Sequence, residues 1–481
     1  MRVSQLGRRG LCRVAASVLA VVLVAPAIAW ADEVAEPGAP QVVSAVELEE
    51  AAAQNQGKPA AEDDVVRPTH KQTLVIEVNT GDLPQTTVSS FCLAESGNLL
   101  VACAGEQGEI RIFDAEGKFV ESWELPVAPD AINVGSDGHV YVAGKGRLLR
   151  LDEAGQVLLE TESPHAAQLM TNKDQVRKEI IEQNEQRSKM FTDQLDRYEK
   201  LIADLEKKQA EKEEAGEELS KSDAQRLKAF QQMSKQFEQM AKDNGPEELT
   251  EEQIEERIKA SIDYKLRVAS ISEADGEVFI ATGAAAGYGF NVWRLNHDFE
   301  EGEVIVSELR GCCGQMDVQV SKQGVYVAEN SRHRVAHFDR AGELKTAWGE
   351  QSRNGINGFG SCCNPMNVAF GPEGSVYTAE SELGRIKRFS PTGELIDLVG
   401  KVDLVPGCKK VSIAVAATGD AVYMLDVSRN HIVKMERLAP GEKIAYFESR
   451  SEQAEEAQPG QPARPSVGGA LLRALFGGSG G

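Results

Sequence analysis

One short phrase recurs six times along the chain and constrains its fold more than any other feature. It is a glycine-led turn followed by a run of aliphatic and aromatic residues that closes on alanine or a similar small residue. It reads Gly97-Asn98-Leu99-Leu100-Val101-Ala102, Gly138-His139-Val140-Tyr141-Val142-Ala143 and Gly276-Glu277-Val278-Phe279-Ile280-Ala281. It returns as Gly324-Val325-Tyr326-Val327-Ala328, Gly374-Ser375-Val376-Tyr377-Thr378-Ala379 and Gly419-Asp420-Ala421-Val422-Tyr423-Met424-Leu425. Val101, Val142, Ile280, Val327, Thr378 and Met424 hold the same place in each copy and lie 41, 138, 47, 51 and 46 residues apart. Four of these intervals suit a unit of four short antiparallel strands. The fifth is one such unit plus about 93 further residues. Each copy continues into a third strand and a turn, as in Arg385-Ile386-Lys387-Arg388-Phe389-Ser390-Pro391-Thr392-Gly393. Short strands at this period predict an all-β chain built of propeller blades, six in number.

Two copies carry more detail. The stretch from Ser375 to Glu380, with Gly384-Arg385-Ile386, Phe389 and Gly393, resembles the NHL repeat. So does Gly324 to Asn330 with Arg334-Val335, Phe338, Gly342 and Trp348-Gly349. The resemblance covers roughly residues 73–163 and 264–449. It implies a six-bladed β-propeller of a bacterial exported family, of a kind used mainly to bind other molecules. An acid that the family places at the end of the second strand is here Glu329, Glu380 and Asp426, but the other three copies have Cys103, Gly144 and Thr282. No copy ends its third strand in Trp-Asp, so a WD40 ring does not fit. The extra strand Thr73–Val78 is expected to pair with the last blade, close the ring and remove an open edge.

The flanks have other compositions. Arg8, Arg9 and Arg13 precede an uncharged run from Val14 to Trp30 that ends Ala29-Trp30-Ala31. A basic start, a short apolar core and small residues before a cut predict a signal peptide over 1–31, of the general secretory type, with Arg8-Arg9 leaving a twin-arginine route open. The mature protein is then expected outside the cytoplasm, periplasmic or extracellular, with no membrane span. Residues 32–72 and 450–481, rich in Ala, Glu, Pro, Gln and Gly, read as a disordered acidic linker and a disordered tail.

The excess between blades two and three, residues 164–263, follows a helical grammar. Val176, Ile180, Phe191, Leu195, Tyr198, Ile202 and Leu205 recur at three-and-four spacing. Gly216 and Ser222 mark a reversal, and Leu227, Phe230, Phe237 and Met240 supply a facing seam. Thr250-Glu251-Glu252-Gln253 reads as a capping box opening a last short helix. The prediction is an inserted α-helical (coiled-coil) hairpin, its first limb up to about 70 Å long, flanked by propeller over 73–163 and 264–449. A protein partner is expected at this arm or at the propeller rim.

Chemistry concentrates in cysteine. Gly311-Cys312-Cys313-Gly314-Gln315-Met316 and Ser361-Cys362-Cys363-Asn364-Pro365-Met366 lead into equivalent strands of two successive blades, and Gly407-Cys408 leads into the next. Loops at equivalent blade positions converge on one rim of the central channel, so Cys312, Cys313, Cys362, Cys363 and Cys408 are expected close together. Disulfides between blades suit an exported protein. A soft metal (copper, zinc or an iron–sulfur centre) suits clustered thiolates with the thioethers of Met316 and Met366 beside them. Cys92 and Cys103 read as core packing.

Other classes are disfavoured. The chain carries 52 basic against 75 acidic residues, a net charge of −23, which opposes binding to nucleic acid. It has no histidine pair at metal-ligand spacing on a helix, no nucleophile elbow and no phosphate-binding glycine loop. The reading is a binding or scaffold module rather than an enzyme, with a metal-binding or redox role for the cysteines as the alternative.

Overall fold

The computed structural model describes residues 67–442 and 444, apart from 106, 245–248, 353–355 and 362. The predicted signal peptide and tail, residues 32–66 of the predicted linker, and Cys362 lie outside the described residues.

The described chain is mostly β and forms six four-stranded antiparallel sheets. β1 (His70–Glu77) comes first and is set aside for the last sheet. The first sheet is β2 (Val88–Leu93), β3 (Leu99–Ala104), β4 (Gly108–Phe113) and β5 (Phe119–Leu125), and the second is β6 (Ala131–Val134), β7 (Val140–Gly144), β8 (Arg147–Leu151) and β9 (Val157–Glu162). The third is β10 (Val268–Ala274), β11 (Glu277–Gly283), β12 (Phe290–Asn296) and β13 (Glu303–Leu309). The fourth is β14 (Asp317–Ser321), β15 (Gly324–Glu329), β16 (Arg334–Phe338) and β17 (Leu344–Trp348), and the fifth is β18 (Asn367–Phe370), β19 (Val376–Glu380), β20 (Arg385–Phe389) and β21 (Leu395–Lys401). The sixth joins β22 (Ile413–Val415), β23 (Ala421–Asp426) and β24 (His431–Arg437) to β1, in the order β1-β24-β23-β22. The first strands β2, β6, β10, β14, β18 and β22 touch in succession, and β22 returns to β2.

The recurring phrase is the second strand of each sheet. Successive strand residues point to opposite faces, so a strand with one covered face alternates polar and apolar. β15 is buried at all six positions because neighbouring sheets cover both faces. Phe279, Val292 and Val306 of the third sheet meet Val318, Val325 and Phe338 of the fourth. Tyr326, Val335 and Trp348 of the fourth meet Val368, Val376 and Phe389 of the fifth. Each fully buried Val or Phe contributes roughly 1.5–3 kcal/mol. The outer turns are built alike: Asp114 Oδ1 accepts the N–H groups of Glu116 and Lys118, and Asp339 Oδ1 those of Ala341 and Glu343. Gly342 then turns the chain at φ +87°, where its missing Cβ also lets Ile305 approach.

β1 pairs antiparallel with β24, Ile76 opposite Ile432. The strand begins at His70, inside the segment expected to be linker. His70 is buried, its ring between the Thr69 hydroxyl and the Gly419 carbonyl, and these contacts hold the chain in the sheet.

Between β9 and β10 stand four helices: α1 (Pro164–Thr171), α2 (Lys173–Glu214), α3 (Lys221–Asn244) and α4 (Glu251–Lys265). The 42 residues of α2 span about 63 Å. α3 covers its far part, with Phe237 against Phe191 and Tyr198 at ring separations of 5.3 and 6.1 Å. α4 opens on the Thr250–Gln253 capping box and packs Ile254, Ile258 and Ile262 on Val176 at the root of α2. The second limb is therefore two helices, and α4 runs two residues past the expected boundary at 263. The root is fastened to the propeller: the Gly287 N–H donates to Glu179 at 2.8 Å, and Lys265 donates to the Ala285 carbonyl at 3.0 Å. No helix among the described residues is long and apolar enough to cross a membrane.

Candidate functional site

The loops that precede β14, β18 and β22 bring four cysteine sulfurs together. Cys312, Cys313, Cys363 and Cys408 have Sγ atoms that all lie within 4.8 Å of one another. Cys363 and Cys408 form a disulfide with Cα atoms 6.2 Å apart, linking the loops of the fifth and sixth sheets. Cys312 Sγ lies 2.9 Å from Cys363 Sγ, and Cys313 Sγ lies 3.0 Å from Cys408 Sγ. Two further contacts are 3.5 Å between Cys312 and Cys313 and 3.8 Å between Cys313 and Cys363. Exposure is graded across the group, from Cys363, wholly buried, to Cys313, exposed.

Each loop is held by the acid that ends the second strand of its own sheet. Glu329 accepts the Arg310 N–H at 2.9 Å, Glu380 the Gly360 N–H at 2.7 Å, and Asp426 the Val405 N–H at 3.0 Å. Cations pair with two of these acids: Arg332 and Arg334 with Glu329, and Arg385 and Lys387 with Glu380. Burial pushes Lys387 down to about 8, against the pull of Glu380. The first three sheets lack this acid and lack the cysteine loop. The two features travel together.

Two amides complete the frame. Buried Asn330 accepts the Cys312 N–H at 2.7 Å and donates to the Gln315 carbonyl at 3.0 Å and to Met366 Sδ at 3.4 Å. Gln315 donates to the carbonyls of Met366 and Val411 at 2.8 and 3.0 Å, joining all three loops beneath the sulfurs. Its Oε1 is buried without a partner. At the tip of the first loop Cys313 adopts φ +57° and Gly314 φ +68°, a tight left-handed turn that aims the two thiols at the neighbouring loops. Met316 is buried in the apolar layer between the third and fourth sheets, and Met366 packs with Cys363 and Val411 in that between the fifth and sixth. Cys92 and Cys103 are buried in the first sheet, apart from the group; burial pushes the Cys103 thiol up to about 12 and the Cys92 thiol higher still.

Two cavities adjoin the centre. The channel inside the first strands holds about 240 Å³ and is lined by Ser270, Ser272, Asp317, Gln319, Asn367 and Ser412 among others. Burial pushes Asp317 up to about 6 and Lys410 down to about 8 there. The second, about 570 Å³, opens between the root of the arm and the rim, with Cys313 in its wall. Gln315, Asn330 and this cleft were not legible from residue spacing. Repetition of the cysteine loops was the one signal, and it said nothing of what lies between them and the arm.

No family model matches the chain, and no curated protein matches it. Among solved structures it is similar to virginiamycin B lyase from Staphylococcus aureus with quinupristin, at 11% identity over 76% of this chain and 99% of that one, TM-score 0.39. It is also similar to the calcium-binding protein regucalcin from Agrobacterium tumefaciens, at 13% identity over 76% of this chain and 94% of that one, TM-score 0.38. A Bacteroides thetaiotaomicron protein of unknown function aligns at 11% identity over 75% of this chain and 72% of that one, TM-score 0.43. At such distances none lends this chain a residue role or an activity.

Proposed function

We propose that the chain is an exported six-bladed propeller of NHL type, a binding module whose channel rim holds one soft metal ion on Cys312, Cys313, Cys363 and Cys408. The observation that carries this is the mutual approach of four sulfurs from three separate loops. A tetrahedral ion with metal–sulfur bonds of 2.3 Å needs sulfurs about 3.8 Å apart. Opening one disulfide brings the set toward that geometry, because four further sulfur–sulfur separations are already 2.9–3.8 Å. Sulfurs this close surround a single ion; an iron–sulfur cluster would interpose its own atoms and hold its cysteines further apart. Zinc and copper(I) fit such a thiolate set. In the oxidised chain the Cys363–Cys408 bond closes the site, so binding requires prior two-electron reduction by a thiol or phosphine.

The second reading is a scaffold whose disulfide staples the fifth and sixth blades, with the helical arm taking a protein partner. The Cys363–Cys408 bond itself favours the staple, and the length of α2 favours the arm.

The test is cobalt titration of the exported protein before and after reduction with a phosphine. One ion per reduced chain with intense thiolate-to-metal bands, absent in the oxidised chain and in Cys312→Ser/Cys313→Ser, supports the metal reading. Reduced protein that binds no cobalt overturns it in favour of the staple.

A further inference from the structure

Resting on that reading, we propose that the cleft between the arm and the rim binds a small anionic thiol, and that this thiol reduces the sulfur centre through Cys313. The cleft measures about 570 Å³, the size of a pocket for a small organic ligand. Its walls carry Arg187 and Arg257 from the arm, with Tyr264, Tyr288 and Phe290 around them. Lys265 and Arg267 also line it, paired with Glu179 at 3.8 Å and Asp130 at 3.4 Å, and Glu179 is the one carboxylate among the lining residues. In a chain of net charge −23 this local excess of cations is an anion-selecting surface. Tyr264 and Tyr288 are largely exposed and present ring faces for the rest of the ligand. The sulfur group has a single member in this wall, Cys313.

Cys313 Sγ stands 3.0 Å from Cys408 Sγ, and Cys312 Sγ stands 2.9 Å from Cys363 Sγ. Attack of the Cys313 thiolate on Cys408 forms a Cys313–Cys408 bond and releases the Cys363 thiolate beside Cys312. No electron is gained or lost in this exchange. It moves the disulfide from the buried edge of the group to the cleft. A bound thiolate then attacks Cys313, forming a mixed disulfide there and releasing Cys408. A second thiol molecule displaces Cys313 and leaves as the symmetrical disulfide. The sum is one protein disulfide and two thiols giving two protein thiols and one small disulfide. The arm thereby decides which reductant opens the metal site.

The experiment compares glutathione, an anionic tripeptide thiol, with the cationic thiol cysteamine on the oxidised exported protein, following protein thiols and mapping adducts by peptide mass spectrometry. Glutathione is expected to leave its mixed disulfide on Cys313. Its rate relative to cysteamine is expected to fall about tenfold in Arg257→Glu and again in Arg187→Glu. Two separate substitutions guard against a variant that misfolds, and far-UV circular dichroism checks each. Adducts found first on Cys363 or Cys408, or a rate ratio unmoved by both charge reversals, overturn the proposal. Cobalt binding after phosphine reduction is scored separately: cobalt without a Cys313 adduct sinks the thiol route alone, and a Cys313 adduct without cobalt sinks the metal reading alone.

Discussion

Gln315 donates its side-chain N–H to the carbonyl oxygen of Met366 at 2.8 Å, across the boundary between the fourth and fifth sheets. The same nitrogen reaches Val411 in the sixth, so one buried amide holds three loops in register under the sulfurs. Gln315→Leu keeps the bulk and leaves two buried carbonyls without a donor. It is expected to destabilise the chain by about 2–4 kcal/mol in urea unfolding, since each unsatisfied group costs about 1–3 kcal/mol. A loss below about 0.5 kcal/mol would show that water replaces the amide.

Glu380 carries two duties, the Gly360 N–H and the buried cations Arg385 and Lys387. Glu380→Gln strips the cations of their counter-charge and is expected to cost about 3–5 kcal/mol. Because the loop it holds carries Cys363, cobalt affinity of the reduced protein should drop by roughly 10–100-fold. Unchanged affinity in a folded variant would separate the acid from the site.

Asp317 and His165 give the fold two opposed pH responses. The Asp317 carboxyl, raised to about 6 by burial, adds stability that is fully present below its ordinary 3.8 and is lost as pH rises through about 6. His165, lowered to about 4 by burial, adds stability that is present above its ordinary 6.5 and is lost as pH falls toward about 4. Asp317→Asn removes the first response, so its urea midpoint should climb with pH between 4 and 6 more steeply than that of the parent. Parallel profiles for the two proteins would refute the assignment.

Cys92 and Cys103 should resist alkylation in the native protein, because burial disfavours their thiolates. Peptide mapping after iodoacetamide is expected to find both unmodified until urea unfolds the first sheet. Native labelling of either would mean that this sheet opens on its own.

Phe237 is the ring that joins α3 to α2 through Phe191 and Tyr198. Phe237→Ala is expected to raise amide exchange throughout α3 and the far part of α2 while β14–β24 keep their protection. Loss of protection in the sheets as well would make the arm part of the propeller's cooperative unit.

How much of this was written in the sequence differs from element to element. The repeated phrase announced the sheets because a strand covered on both faces must be apolar at every position, as Val325 to Ala328 are. The arm's far seam was equally plain, since Phe191, Tyr198 and Phe237 keep helical spacing. The Ile254, Ile258 and Ile262 ladder has the same spacing and begins four residues after the Thr250 cap. The cysteine loops were legible as a pair. Their dependence on Glu329, Glu380 and Asp426 was not, although both patterns fall in the same three copies; only the fold turns a strand-end acid and a preceding loop into hydrogen-bonded neighbours. Gln315 carries no periodic mark at all. A single amide reaching carbonyls 51 and 96 residues away belongs to tertiary geometry alone.

The strand pairing of β1 with β24 also sets an order of events. His70 and the Gly419 carbonyl it touches are 349 positions apart, so the sheet that follows the Cys408 loop waits for nearly the whole chain to be synthesised. Its first strand must stay unpaired until the last one arrives. Until then β24 has no outer neighbour and the ring has a seam. The bond between Cys363 and Cys408 spans only 45 positions and involves neither β1 nor β24, a local tie beside a seam that is closed from opposite ends of the described chain.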